Sequence, residues 1–171
     1  GSLNRVTQPK GASTSFGFEY GLASWRVVME LDLDNWTLGQ VLVERAATHG
    51  EHPFLRVVDG ETSTYAEMHE LASRLAHGFV QQGVRKGDSV VVMLPNGTEV
   101  IACWLALGTM GAIEACVNTA YKGEPLAHAI NVCKAKLMVV AQEFLPMVEA
   151  IADRLKHIER LVVVGDNSEG A

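Results

Sequence analysis

The sequence predicts an α/β fold: a mostly parallel sheet with flanking helices, preceded by an N-terminal β-hairpin. Three observations carry that prediction. Between residues 83 and 119 a turn, a short β-branched run, a second turn, an apolar stretch of helix length, a glycine and another short apolar run follow one another. That order is one β-α-β unit. Two further short apolar runs, 137–141 and 161–164, recur with helix-length segments between them, and strands joined by helices argue a parallel sheet. Upstream, the runs 55–58 and 61–63 flank Asp59-Gly60, a dipeptide that supports the positive φ angles of a tight hairpin turn.

Taken in order, residues 1–28 open Gly-Ser without Met and are rich in Gly, Ser and Thr. They read as a tag or extension segment, with Met29 as a native start and part of the segment docked on a neighbour. Residues 29–171 read as one α/β unit. Thr37-Leu-Gly-Gln40 is a capping-box pattern, and the helix it opens carries Leu38, Val41, Leu42 and Ala46 on one side until Gly50. After the hairpin, Thr64-Tyr-Ala-Glu67 is a second capping box. Its helix lines up Met68, Leu71, Leu75 and Phe79, with Gly83 as the C-cap. The strand 90–94 is apolar throughout, as a strand buried on both faces should be. Pro95-Asn96 ends it, and Asn96 is expected to cap the next helix with Glu99 as reciprocal partner. That helix, apolar nearly all round, runs to Met110, with Trp104 read as a packing residue; Gly111 stops it and 112–117 returns as a strand. A loop at 118–123, a helix at 124–133, a strand at 137–141, a helix at 143–157 and a strand at 161–164 complete the unit. The helix at 143–157 turns Phe144, Met147, Val148, Ile151 and Leu155 inward, and its basic end complements the helix dipole.

Composition narrows the function classes. The chain has 171 residues, 48% of them hydrophobic, and a net charge of −6, so the basic footprint of a nucleic-acid binder is absent. The longest apolar stretch, 100–113, is interrupted by Gly108 and Gly111 and falls short of the roughly 20 residues that span a bilayer. Three scattered cysteines, Cys103, Cys116 and Cys133, sit in apolar segments and read as reduced, buried thiols of a cytoplasmic protein.

The motif search is mostly negative. No G-x-G-x-x-G follows a strand, no Gly-rich loop ends in Lys-Ser/Thr, and there is no G-x-S-x-G and no C-x-x-C. No catalytic residue and no metal ligand is assigned. His49 and His52 would need two more metal ligands, and His69, His77, His128 and His157 lie singly on helices. Cys103 and Cys116 would need an adjacent base to act as nucleophiles. The segment that stands out is 118–123, with Asn118, Thr119, Tyr121 and Lys122. It follows a strand's carboxyl end, where open α/β sheets bind ligands, and Lys122 stands beside a helix N-terminus that can attract a phosphate.

Five stretches occur in a familiar order and spacing: Ser63-Thr-Tyr-Ala-Glu67, Gly83-Val-Arg-Lys-Gly-Asp88, Val92-Met-Leu-Pro-Asn96, Trp104-Leu-Ala-Leu-Gly-Thr-Met-Gly-Ala112 and Val117-Asn-Thr-Ala-Tyr-Lys-Gly123. Over about 36–164 the chain resembles the N-terminal part of the acyl-adenylate-forming (ANL) superfamily. Within it the chain is most similar to ATP-dependent acyl-CoA synthetases of the crotonobetaine/carnitine-CoA ligase type. The resemblance implies an incomplete N-terminal subdomain of a ligase that activates a small carboxylic acid as its acyl-adenylate and transfers it to CoA. It implies ATP, CoA and Mg for the full-length enzyme, whose phosphate loop, Mg segments and C-terminal domain lie downstream of this chain. The fragment alone is then inactive and holds no cofactor of its own. In CoA-using relatives a basic residue of the loop matching 118–123 approaches the CoA nucleotide; Ala120 stands close to that position, and Lys122 is the base this loop offers a CoA phosphate. A subdomain cut from its partner sheet leaves apolar surface and a sheet edge uncovered, so the chain is expected to self-associate. The alternative is a stand-alone α/β binding or oligomerisation module without catalysis.

Overall fold

The computed structural model describes residues 37–58 and 60–165. The expectations for residues 1–28 and for the tail after Gly165 lie outside the described residues.

Both predicted capping boxes form. Helix α1, Leu38–His49, starts where the Thr37 hydroxyl accepts the Gln40 N–H at 3.3 Å and the Gln40 side chain accepts the Thr37 N–H at 3.2 Å. Helix α2, Tyr65–Gln81, repeats this with Thr64 and Glu67. At its far end the Gly83 N–H donates to Val80 O and the Val84 N–H to Phe79 O, while Phe79 and Val84 are both buried. That is the Schellman arrangement, with its apolar contact across the turn. Helix α3, Thr98–Met110, ends the same way: Gly111 takes φ 69°, and the Ala112 N–H reaches Leu107 O at 2.9 Å. A left-handed residue at that point favours glycine. Gly39 of α1 lets α1 approach α3, because a Cβ there would stand 3.0 Å from the Thr109 backbone.

The hairpin forms with shifted strands. β1 is Pro53–Arg56 and β2 is Thr62–Thr64, with Arg56 opposite Thr62. A five-residue loop replaces the expected two-residue turn at Asp59-Gly60. The Val57 N–H donates to Glu61 O and the Gly60 N–H to Val57 O, so the turn closes from Val57 to Gly60 rather than on Asp59-Gly60 as its two central residues.

Four parallel strands form the main sheet: β3 (Ser89–Met93), β4 (Ile113–Cys116), β5 (Leu137–Ala141) and β6 (Arg160–Val164), in the order β4-β3-β5-β6. Helix α4, Gly123–Val132, and the short α5, Leu145–Glu149, complete the crossovers. Val90, Val92, Leu137 and Val139 pack with buried residues of α1, α2 and α3. Val91, Met93, Met138 and Val140 pack with α4 and with Val148 and Ile151. β3 and β5 are therefore buried on both faces, as their continuous apolar runs require.

Three expectations are corrected. The N-cap of α3 is Gly97, and no side chain caps it. The helix starts one residue later than expected, which puts Asn96 outside the capping position and Glu99 at the second helical residue rather than the third. The helix is also not enclosed all round: Trp104 is 47% exposed, on the side turned away from the sheet. The long helix expected over 143–157 is broken into a 3-10 turn at Gln142–Phe144, α5, and a 3-10 turn at Ala152–Arg154. Ile151 leaves helical geometry at φ −124°, ψ 11°. The segment is held by tertiary bonds instead: Asn131 donates to Arg154 O at 2.9 Å and accepts the Lys156 N–H at 2.8 Å. The apolar stripe survives, since Val148 and Ile151 are buried, but Arg154 pairs with Glu124 rather than serving a helix end.

Candidate functional site

Ligands of open α/β sheets bind outside the carboxyl ends of the strands where chain order reverses. Here the chain runs from β3 out to β4 and then crosses back to β5 on β3's other flank, so the reversal lies between β3 and β5. A cleft of about 320 Å³ opens there, bounded by Leu94 and Pro95 after β3, Gln142 and Glu143 after β5, Glu99 of α3 and Val164 of β6. Its floor is apolar and its polar rim carries two carboxylates and an amide. Such a rim accepts hydrogen bonds and favours cations.

A second cleft of about 460 Å³ lies on the other side of the turn 94–97, between the hairpin and α3. Arg56, Val57 and Val58 face Asn96, Gly97 and Val100 across it. Arg56 brings a cation to this cleft, and the first turn of α3, which no side chain caps by a hydrogen bond, already carries the Glu99 carboxylate. The Glu99 carboxylate folds back over Gly97, 3.3 Å from where a Cβ there would stand, so Arg56 is the only charged side chain among the described residues lining this cleft and Glu99 stands close by. Sequence reading missed both, although the residues that matter sit directly behind apolar runs.

Lys122 lies in neither cleft. It is the N-cap of α4, extended at φ −141°, ψ 158°, exposed and past the end of β4, with no side-chain cap on the helix. The loop before it is tied by Asn118, whose side chain accepts the Ala120 N–H at 2.9 Å and whose carbonyl accepts the Tyr121 N–H at 3.1 Å. Asn118 shapes the turn, and Lys122 remains a cation beside open helix N–H groups. A single phosphate group could be met there.

The thiols do not make nucleophiles. Burial pushes Cys103 up to about 12, with the charges of Glu114, Cys116 and Glu99 adding to it. Burial also raises Cys116 and Cys133, and the Cys133 thiol donates to Ala129 O. The expectation that all three are buried is corrected: Cys103 is buried, Cys133 is half-buried and Cys116 is exposed, because β4 is an edge strand. The His49 and His52 rings meet edge-on at 5.2 Å. Among the described residues no group of three or more His, Cys, Asp or Glu side chains could hold a metal. Nor is any helix among them long and apolar enough to cross a membrane.

The family model described as AMP-binding enzyme matches residues 42–170. The chain is 32% identical over 117 residues to a medium/long-chain-fatty-acid–CoA ligase, FadD6, of Mycobacterium tuberculosis, covering 68% of this chain and 19% of that protein. It is 33% identical over 104 residues to a crotonobetaine/carnitine–CoA ligase of Salmonella typhimurium, covering 60% of this chain and 20% of that one. Among solved structures, a long-chain-fatty-acid–CoA ligase of Archaeoglobus fulgidus superposes with a TM-score of 0.69 at 26% identity, over 78% of this chain and 28% of that chain. The chain spans about a fifth of the length of the curated relatives it matches.

Proposed function

The chain belongs to the AMP-binding enzyme family, and from that premise we propose that it is the N-terminal α/β subdomain of an ATP-dependent acyl-CoA ligase. The observation that carries the reading is the coincidence of the family match over 42–170 with a parallel β4-β3-β5-β6 sheet. The whole enzyme joins a carboxylic acid to CoA in two steps. The carboxylate attacks the α-phosphate of ATP and releases pyrophosphate; the CoA thiol then attacks the acyl carbonyl and AMP leaves. The names of the relatives point to a fatty acid or a small carnitine-like acid as the acyl donor.

This chain's part in that reaction is support and binding. Among the described residues there is no carboxylate cluster for Mg and no glycine-rich phosphate loop, so in this reading the rest of the enzyme supplies those parts. The fragment alone is inactive. Lys122 is the residue proposed to meet a CoA phosphate, supported by its charge, its exposure and the uncapped α4 N-terminus behind it. A cytoplasmic location belongs to the same reading and rests on the free thiols. So does self-association through uncovered apolar surface on β4, β6 and α3. A stand-alone binding module is the other reading, favoured by the lack of any nucleophile–base pair in the two clefts.

The coding sequence that follows residue 171 separates the two. A Ser/Thr/Gly-rich loop with a lysine just downstream is expected, and a stop codon there sinks the ligase reading. With the longer protein in hand, Lys122→Gln should raise the KM for CoA and leave ATP–pyrophosphate exchange unchanged. An unchanged KM for CoA removes Lys122 from the site.

A further inference from the structure

The end of the sheet opposite the two clefts carries a different feature. The loops that lead into β3, β5 and β6, with the first residue of β6, hold Arg85, Lys86, Lys134, Lys136, Lys156 and Arg160. Those are six of the 14 lysines and arginines in a chain of net charge −6. The carboxylates in the same loops are Asp88 and Glu159. Three helices, α2, α3 and α4, point their carboxyl ends this way, and each contributes about half a negative charge. Six cations against two carboxylates and three such ends still leave this face positive. The basic residues therefore exceed what complementing the helix ends requires.

The face is not flat. A cleft of about 120 Å³ opens in it, lined by Lys134, Lys136 and Arg160 together with Asp88, Ser89 and Gly83. The guanidinium of Arg160 lies 3.7 Å from where a Cβ on Gly83 would stand, so the missing side chain leaves room for it. Glu159 takes one cation, Lys136, at 3.2 Å. One oxygen of Asp88 is engaged by the Arg85 N–H at 2.8 Å. Among the described residues no carboxylate pairs with Lys134 or Arg160. Lys134 is also the one non-glycine residue with a positive φ, 50°, among those described. The position just past a helix usually goes to Gly or Asn, and a strained residue that persists is a pointer to function.

We propose that this cleft binds one free phosphate-class anion, held by Lys134 and Arg160 with Lys136 and the Ser89 hydroxyl alongside. Its volume lies below the roughly 300–1,000 Å³ of sites for drug-sized ligands, so it takes inorganic phosphate or a terminal phosphate rather than a whole nucleotide. Its concavity favours a free anion over a headgroup fixed in a lipid surface. The site stands apart from the clefts at the carboxyl ends of the strands and does not depend on the ligase reading.

The test titrates this chain with sodium phosphate and, separately, with sodium chloride at matched ionic strength, following backbone amide shifts. Saturable shifts with phosphate at 83–89, 134–137 and 160 are expected, and none with chloride. Lys134→Gly keeps the left-handed backbone without strain, so the chain stays folded, and phosphate affinity should fall about tenfold with one charge-assisted bond lost. Arg160→Gln should weaken binding likewise, and Arg74→Gln on the exposed side of α2 should leave it unchanged. Equal shifts with chloride, or no loss in Lys134→Gly and Arg160→Gln, would mean an adventitious ion only and overturn the proposal. So would binding seen only with phosphatidylglycerol vesicles and not with free phosphate.

Discussion

The inner and outer strands of the main sheet carry similar residues and meet different fates. β3 and β5 are apolar and buried on both faces, with Val90, Val91, Met93, Met138 and Val140 fully enclosed. β6 is apolar on both faces too, yet Leu161 and Val163 are each 42% exposed, and Ile113 of β4 is 54% exposed. A strand that reads as interior but sits at an edge keeps apolar surface exposed, as Leu161, Val163 and Ile113 do here. Among the described residues the centre of this sheet is covered on both faces, and its flanks keep exposed apolar side chains. That difference separates the strands that stabilise the sheet from those that leave apolar surface open to solvent.

The comparison breaks if the centre tolerates truncation. Met138→Ala, at a fully buried position, should cost about 2–5 kcal/mol in urea unfolding, the range for deleting a buried Met. Asn131→Ala probes the flank. It removes the two bonds that hold 154–156 and set the approach to β6, and should cost about 0.5–1.5 kcal/mol, since both bonds are exposed and water can replace them. Hydrogen exchange should then rise in β6 before β3 or β5. Uniform loss of protection would mean that the flank and the centre unfold as one.

Surface charge at the edge should do the opposite of truncation in the core. Val163→Lys is expected to change stability by no more than about 0.5 kcal/mol, as exposed substitutions do, while lowering self-association, because a lysine blunts an edge strand. Light scattering against concentration checks it. A chain that is monomeric at every concentration before the substitution removes self-association altogether.

How much of this was legible follows from the range of the forces. The capping boxes at Thr37 and Thr64 and the Gly111 stop are local, satisfied within four residues, and each formed where expected. β5 matched to the residue because its five side chains are all buried. The helix over 143–157 failed because its apolar stripe is real while its backbone is set by Asn131, more than twenty residues away. Asn96 failed by one residue, since Gly97 takes the cap and an apolar pattern does not locate a boundary that finely. The two clefts could not be read because one arises from strand order, which puts Glu99 and Glu143 on the same cleft, and the other from the packing of the hairpin against α3. Lys122 was legible as a charge at a helix start, and that is what the structure places there.

The smallest effect tests the β4 edge. Glu114 on β4 lies opposite Val90, half-buried, with its Oε1 enclosed and without a hydrogen-bond partner. Burial raises its carboxyl above the usual 4.5, against a smaller opposing bond with Cys116. A carboxyl raised in the folded state binds its proton more tightly folded than unfolded. Its favourable contribution is complete below the unfolded value and is lost as pH rises through the folded one. The chain should therefore gain stability from this group on acidification from neutral pH toward 4.5, opposite in sign to the group at Glu67, whose bonds to Thr64 lower it. Glu114→Gln removes the charge and keeps the shape. It should raise the thermal midpoint at pH 7 and leave it nearly unchanged near pH 4, where Glu114 is already protonated. Equal midpoints at both pH values would mean that the carboxylate is solvated and that the β4 edge is less enclosed than its geometry indicates. A rise at pH 7 alone would mark Glu114 as a half-buried carboxylate whose enclosed oxygen lacks a donor.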